Sequence, residues 1–154
     1  MMTPGAHMND EGQRAGVVRA QEKLAPLGFL VGEWTGTGTI LGDPVTAQLQ
    51  VSAAVDGTWL EAREQVVGAS GEPVHADISF YRFNAEEGGL RVLHLTAGAH
   101  MEELGVAVEE GAIHWVTGPG GPQLWIRPMD GGFTMTVHLP EIEAPSVVLR
   151  YRPA

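Results

Sequence analysis

The stretch PLGFLVGEWTGTGTI, residues 26–40, alternates polar and apolar positions as a strand does, yet carries glycine at 32, 36 and 38 around Trp34. Glycine inside a strand costs roughly 0.5–1 kcal/mol against alanine. Three so close together need a geometric cause. A first strand that leaves a helical segment, bends, and passes close to another backbone supplies one. Trp34 shares the glycine face and is expected to plug one end of whatever the strand encloses, removing roughly 150–250 Å² from water.

Upstream, EGQRAGVVRAQEKL (11–24) predicts a short helix with Val17, Val18, Ala20 and Leu24 as its less polar positions, stopped by Pro26. Residues 1–12 are expected to be a frayed polar tail and 13–154 a single domain. Downstream, turn signals recur at Gly42-Asp43-Pro44, Asp56-Gly57, Gly68 to Pro73, Asn84 to Gly89, Ala97-Gly98, Glu110-Gly111, Gly118 to Pro122, Asp130-Gly131-Gly132 and Pro140 to Pro145. These connectors separate strands expected near 33–41, 44–54, 58–67, 73–84, 89–96, 99–108, 111–117, 122–128, 132–139 and 145–152. No helical pattern intervenes, which excludes parallel βαβ units. Short connectors favour a meander of antiparallel hairpins that hides its edges by closing. The expected fold is therefore all-β: a closed, antiparallel, ten-stranded up-and-down barrel of lipocalin or fatty-acid-binding-protein type, with a short N-terminal helix. Ten strands enclose more space than eight, so a lumen is expected.

Composition removes several function classes. Nine Lys and Arg stand against nineteen Asp and Glu, a net charge of −10. Without a basic cluster, neither nucleic acid nor an anionic membrane is an expected partner. Cysteine is absent, and with it disulfides, thiol nucleophiles and thiolate metal ligands. MMTPGAHMND lacks a secretory pattern, and a cytoplasmic protein is the expectation.

Gly32-Glu33-Trp34-Thr35-Gly36-Thr37-Gly38 reads G-x-W-x-G-x-G; it follows LAPLGFLV, and the chain ends in VVLRYRP. This combination resembles the nitrobindin family and related bacterial ten-stranded barrels of the calycin group, which includes the fatty-acid-binding proteins. The resemblance implies a haem held in the lumen by a histidine near the start of the last strand, with chemistry on nitric oxide or peroxynitrite. In Pro145-Ser146-Val147-Val148-Leu149-Arg150, serine stands in that ligand's region. ISFYRFNAEEGGLRVLHLTAG is similar to an uncharacterised bacterial branch of these barrels.

Strand parity tests the remaining histidines, because side chains alternate faces. Phe133, Met135, Val137 and Leu139 oppose Thr134, Thr136 and His138; Ile113 and Trp115 oppose His114; Ala76, Ile78 and Phe80 oppose His75, Asp77, Ser79 and Tyr81. If the apolar face is the lumen, His75, His94, His114 and His138 all point outward. A polar lumen face in one or two strands would instead turn an imidazole inward, and His138 or His94 is then the alternative haem ligand. An inward pair of imidazoles with no third ligand is a weak metal set, so no metal site is expected. No nucleophile elbow, zinc helix or dinucleotide loop is present, and an enzyme is the less favoured class.

On the same parity, Trp34, Leu49, Val51, Leu60, Leu104, Val106, Trp115, Leu124, Ile126, Met135 and Leu149 are the expected lumen lining. Such a lining suits a small apolar or amphipathic molecule, oriented by a few polar groups. Three functions follow: non-enzymatic binding of that ligand without a cofactor, a haem protein of nitrobindin type, or a barrel without ligand that acts through its outer surface or as a dimer.

Overall fold

The computed structural model describes residues 10–154; the tail expected over 1–12 lies outside them except for 10–12, which are helical. Helix α1 (Asp10–Leu24) carries Asp10 and Glu11 in its first turn and Lys23 in its last, which complements the helix dipole. It buries only Leu24; Val18 is exposed, so most of the helix lies on the outside of the protein. Pro26 falls in the first turn of a 3₁₀ segment, Ala25–Leu30, which buries Leu27 and Leu30.

Ten strands follow: β1 (Gly32–Ile40), β2 (Asp43–Ala54), β3 (Trp59–Gly68), β4 (Pro73–Asn84), β5 (Gly89–Thr96), β6 (Met101–Glu109), β7 (Ala112–Val116), β8 (Gln123–Met129), β9 (Gly132–His138) and β10 (Val147–Pro153). Every boundary falls within two residues of the sequence expectation. Each strand pairs antiparallel with its chain neighbours, and β1 closes on β10, giving a complete up-and-down barrel. No helix among the described residues is long and apolar enough to cross a membrane.

The closing seam explains the glycines. Gly38 pairs with Leu149, and a Cβ there would overlap the Val148 carbonyl, so only glycine allows β1 and β10 to approach. Gly36 lies against the Tyr151 ring, where a methyl group would collide with it. Tyr151 is fully buried and stacks on Phe133 at 5.0 Å between ring centroids. Trp34 meets Phe133 edge-on at 4.8 Å, and its indole N–H donates to the Leu30 carbonyl at 2.7 Å. Trp34 is half-buried: it seals the end of the barrel on which the 3₁₀ segment sits, with one edge left to solvent.

Helix, 3₁₀ segment and aromatic cluster thus form a floor. Gln21 Nε2 donates to the Asp56 carbonyl in the β2–β3 turn, and Arg19 lies over the Phe83 ring near the end of β4. The opposite end carries the β1–β2, β3–β4, β5–β6, β7–β8 and β9–β10 connections.

Candidate functional site

Above the floor lies a cavity of about 430 Å³. It runs from Leu30 up to Ile40, Val74, Thr117 and Pro122 at the strand ends of the other side. Of the expected lining, Leu49, Val51, Leu104, Trp115, Leu124, Ile126, Met135 and Leu149 all border it. Trp34, Leu60 and Val106 do not; they belong to the packed core around it. Trp34 is held at the floor by its bond to Leu30, beyond reach of the cavity.

Two of the outward assignments need correction. His114 and His138 do face outward: His114 stacks on Trp125 at 4.1 Å and bonds Gln123, across from which His138 sits. His75 and His94 instead border the cavity, together with Asp77, Ser79 and Tyr81. The expected faces of β4 are therefore inverted. Ser79 and Tyr81 are buried, and Ala76, Ile78 and Phe80 lie on the outer face. The physical reason is that β4 and β5 are apolar on their outer face as well, with Phe80 paired to Leu93 and Ile78 to Leu95. Apolarity alone could not mark the inside there.

The inward polar groups form a connected set. Glu64 on β3 is directly paired with Asp77 on β4, and its carboxylate accepts a hydrogen bond from the Tyr151 hydroxyl. Burial, reinforced by the neighbouring Asp77 charge, pushes the Glu64 carboxyl well above the usual carboxylate range. His75 Nε2 is 2.7 Å from Asp77 Oδ2, and that bond raises the imidazole's pKa above its ordinary value. Ser79 Oγ is 3.0 Å from His94 Nδ1. Desolvation lowers the His94 pKa, favouring the neutral imidazole, and the ring meets Trp115 edge-on at 4.9 Å. Trp115 Nε1 donates in turn to the Tyr81 hydroxyl at 3.1 Å. Glu102 on β6 pairs with His94 and borders the same space.

The cavity is consequently two-faced. Leu124, Met135, Val137, Val147 and Leu149 line it from β8, β9 and β10, while β3 to β6 set Glu64, His75, Asp77, Ser79, His94 and Glu102 among Ala62, Val66 and Leu104. Glu64 is missing from the lining expected from the sequence, although it shares the parity of the expected inward Leu60. The run His75-x-Asp77-x-Ser79-x-Tyr81 was legible only as one face of a strand.

Ser146, in the region where the resemblance implies an iron ligand, is buried; its Oγ donates to the Val137 carbonyl at 3.0 Å. Its backbone N–H donates to the same carbonyl at 2.8 Å. A neutral hydroxyl committed in this way does not fit the ligand role. A second hollow, about 660 Å³, is bordered mainly by outward residues of β2 to β4 such as Gln48, Gln50, Gln65 and Ile78. Its Arg63 pairs locally with Glu61 at 2.9 Å.

No protein-family model matches the chain, and no curated protein matches it.

Proposed function

We propose that the protein binds a small amphipathic molecule in the barrel lumen, without acting on it chemically. The observation that carries this is the cavity of about 430 Å³ with one hydrocarbon wall and one polar wall. Pockets for small molecules combine a mostly apolar lining with a few placed polar groups that set orientation. Here Leu124, Met135 and Leu149 would take an aliphatic or aromatic body, and the His94–Ser79 and His75–Asp77 pairs its polar end. The likeness of G-x-W-x-G-x-G and the closing strand to nitrobindins and other calycin barrels supports the same use of the lumen.

The test is titration with an environment-sensitive amphipathic fluorophore, read by quenching of tryptophan emission. Trp115 borders the cavity and should respond. Saturable quenching is the expected result, and binding followed by the probe's own emission under direct excitation should be lost on Met135→Trp. Hemin titrated in parallel should give no sharp Soret shift; a saturable shift abolished by His94→Ala would replace this function with a haem-dependent one. Absence of saturable quenching by any amphipathic probe would leave the barrel to act through its outer surface.

A further inference from the structure

We propose that His75, Asp77 and His94 form a binding site for one divalent transition-metal ion, set into the β4–β5 wall of the lumen. One ligand atom from each of the three lies within 4.8 Å of the others. Ligands about 2.0–2.2 Å from a common ion stand roughly 3–3.5 Å apart. Small side-chain rotations therefore suffice to gather them, and the 2.7 Å hydrogen bond between His75 and Asp77 is exchanged for two metal bonds.

The placement follows from strand geometry. His75 and Asp77 are two apart on β4 and so share the inward face. His94 pairs with Ser79 on the neighbouring strand and is inward as well. Ser79 engages His94 Nδ1, which holds the ring and leaves Nε2 as the metal-binding nitrogen, the outer-partner arrangement that ligating histidines use. Two imidazoles and a carboxylate suit zinc and other first-row divalent ions, whereas calcium and magnesium prefer all-oxygen sets. The surroundings also favour a cation. Asp77 and Glu102 border the cavity, with no lysine or arginine among its described lining. Three protein ligands leave at least one coordination position free toward the lumen, as open rather than closed metal sites do. A bound ion would take up His75, Asp77 and His94, the groups that face the polar end of a lumen ligand, so each is tested with the other absent.

The experiment uses the full, untagged chain, stripped with chelator and dialysed against Zn²⁺. One ion per chain is expected, with X-ray absorption at the zinc edge showing two imidazoles and oxygen donors. Co²⁺ at the same site should give visible ligand-field bands that Zn²⁺ displaces. Asp77→Asn and His94→Ala should each weaken Zn²⁺ binding by more than the roughly 10–100-fold expected for the outer-partner change Ser79→Ala. His114→Ala and His138→Ala, on the outer face, should leave it unchanged. Should His94→Ala fail to fold, the zinc-edge spectrum of the unmodified protein decides. Less than stoichiometric binding, a spectrum without imidazole, or unchanged affinity in folded Asp77→Asn overturns the proposal. Fluorophore quenching in the chelator-treated protein reports on the lumen ligand independently.

Discussion

The wall built by β8, β9 and β10 and the wall built by β3 to β6 face the same cavity with opposite chemistry. The first presents Leu124, Met135, Val137 and Leu149, with threonines and His138 turned outward. The second presents Glu64, Asp77, His75 and His94, while Phe80, Leu93 and Leu95 lie on its outer face. A wall of the first kind is stabilised by apolar burial, at about 25 cal/mol per Å² removed from water. A wall of the second kind places carboxylates and imidazoles where each needs a partner, because an unpaired polar group there costs about 1–3 kcal/mol. The pairs Glu64–Tyr151, His75–Asp77 and Ser79–His94 meet that need. The floor and the apolar wall are thus held by apolar burial, and the polar wall by its paired polar groups.

The sharpest way to break this division is at the floor and seam. Trp34→Ala removes the edge-on contact with Phe133 and the bond to Leu30, and should cost about 3 kcal/mol. For a domain of this size that corresponds to a fall in Tm of roughly 6–12 °C. Gly38→Ala should be comparably harmful, because the new methyl group meets the Val148 backbone rather than a side chain that can rotate away. Thermal unfolding followed by circular dichroism checks both. A loss no larger than that of a surface substitution would mean that the seam is not where the barrel is held.

The same contrast explains what the sequence made legible. Strand number, order and boundaries could be read because turn chemistry punctuates the chain every dozen or so residues and nothing helical interrupts it. In β7 and β9, clean alternation placed Ile113, Trp115, Phe133 and Met135 inside and His114 and His138 outside. In β4 and β5 the rule that apolar means inside failed, since Ile78 and Phe80 are apolar and outward. Those strands hold the candidate site. Its polar inward face became visible only through the register Ser79↔His94 and Glu64↔Asp77, a pairing between strands that no local pattern encodes.

A second substitution separates binding from stability. Met135→Trp extends an indole into the cavity from the apolar wall, where open space can accept it. Overpacking of a filled core costs typically about 1–3 kcal/mol, and the expected loss here is at or below the low end of that range. Binding of an amphipathic fluorophore should nevertheless disappear, as read by the probe's own emission under direct excitation beside a melting curve. Unaltered fluorophore affinity would place the ligand elsewhere, and an unfolded variant would mean that the cavity is already filled by its own walls.

The smallest effect is expected at Glu64, and only as a function of pH. Burial and the adjacent Asp77 raise its carboxyl pKa above the ordinary 4.5, so the folded protein holds the proton more tightly than the unfolded chain does. The contribution to stability is therefore complete below about pH 4.5 and is lost as pH rises through the folded-state value. Glutamine keeps the shape, can still accept the Tyr151 hydrogen bond, and has no proton to lose. In chelator-treated protein, Glu64→Gln should match the original at pH 4 and become progressively more stable than it as the pH is raised toward 8. Parallel melting curves across that interval measure the difference directly. A variant that is less stable at high pH would mean that Glu64 is ionised in the fold and that the polar wall carries one more negative charge than its burial allows.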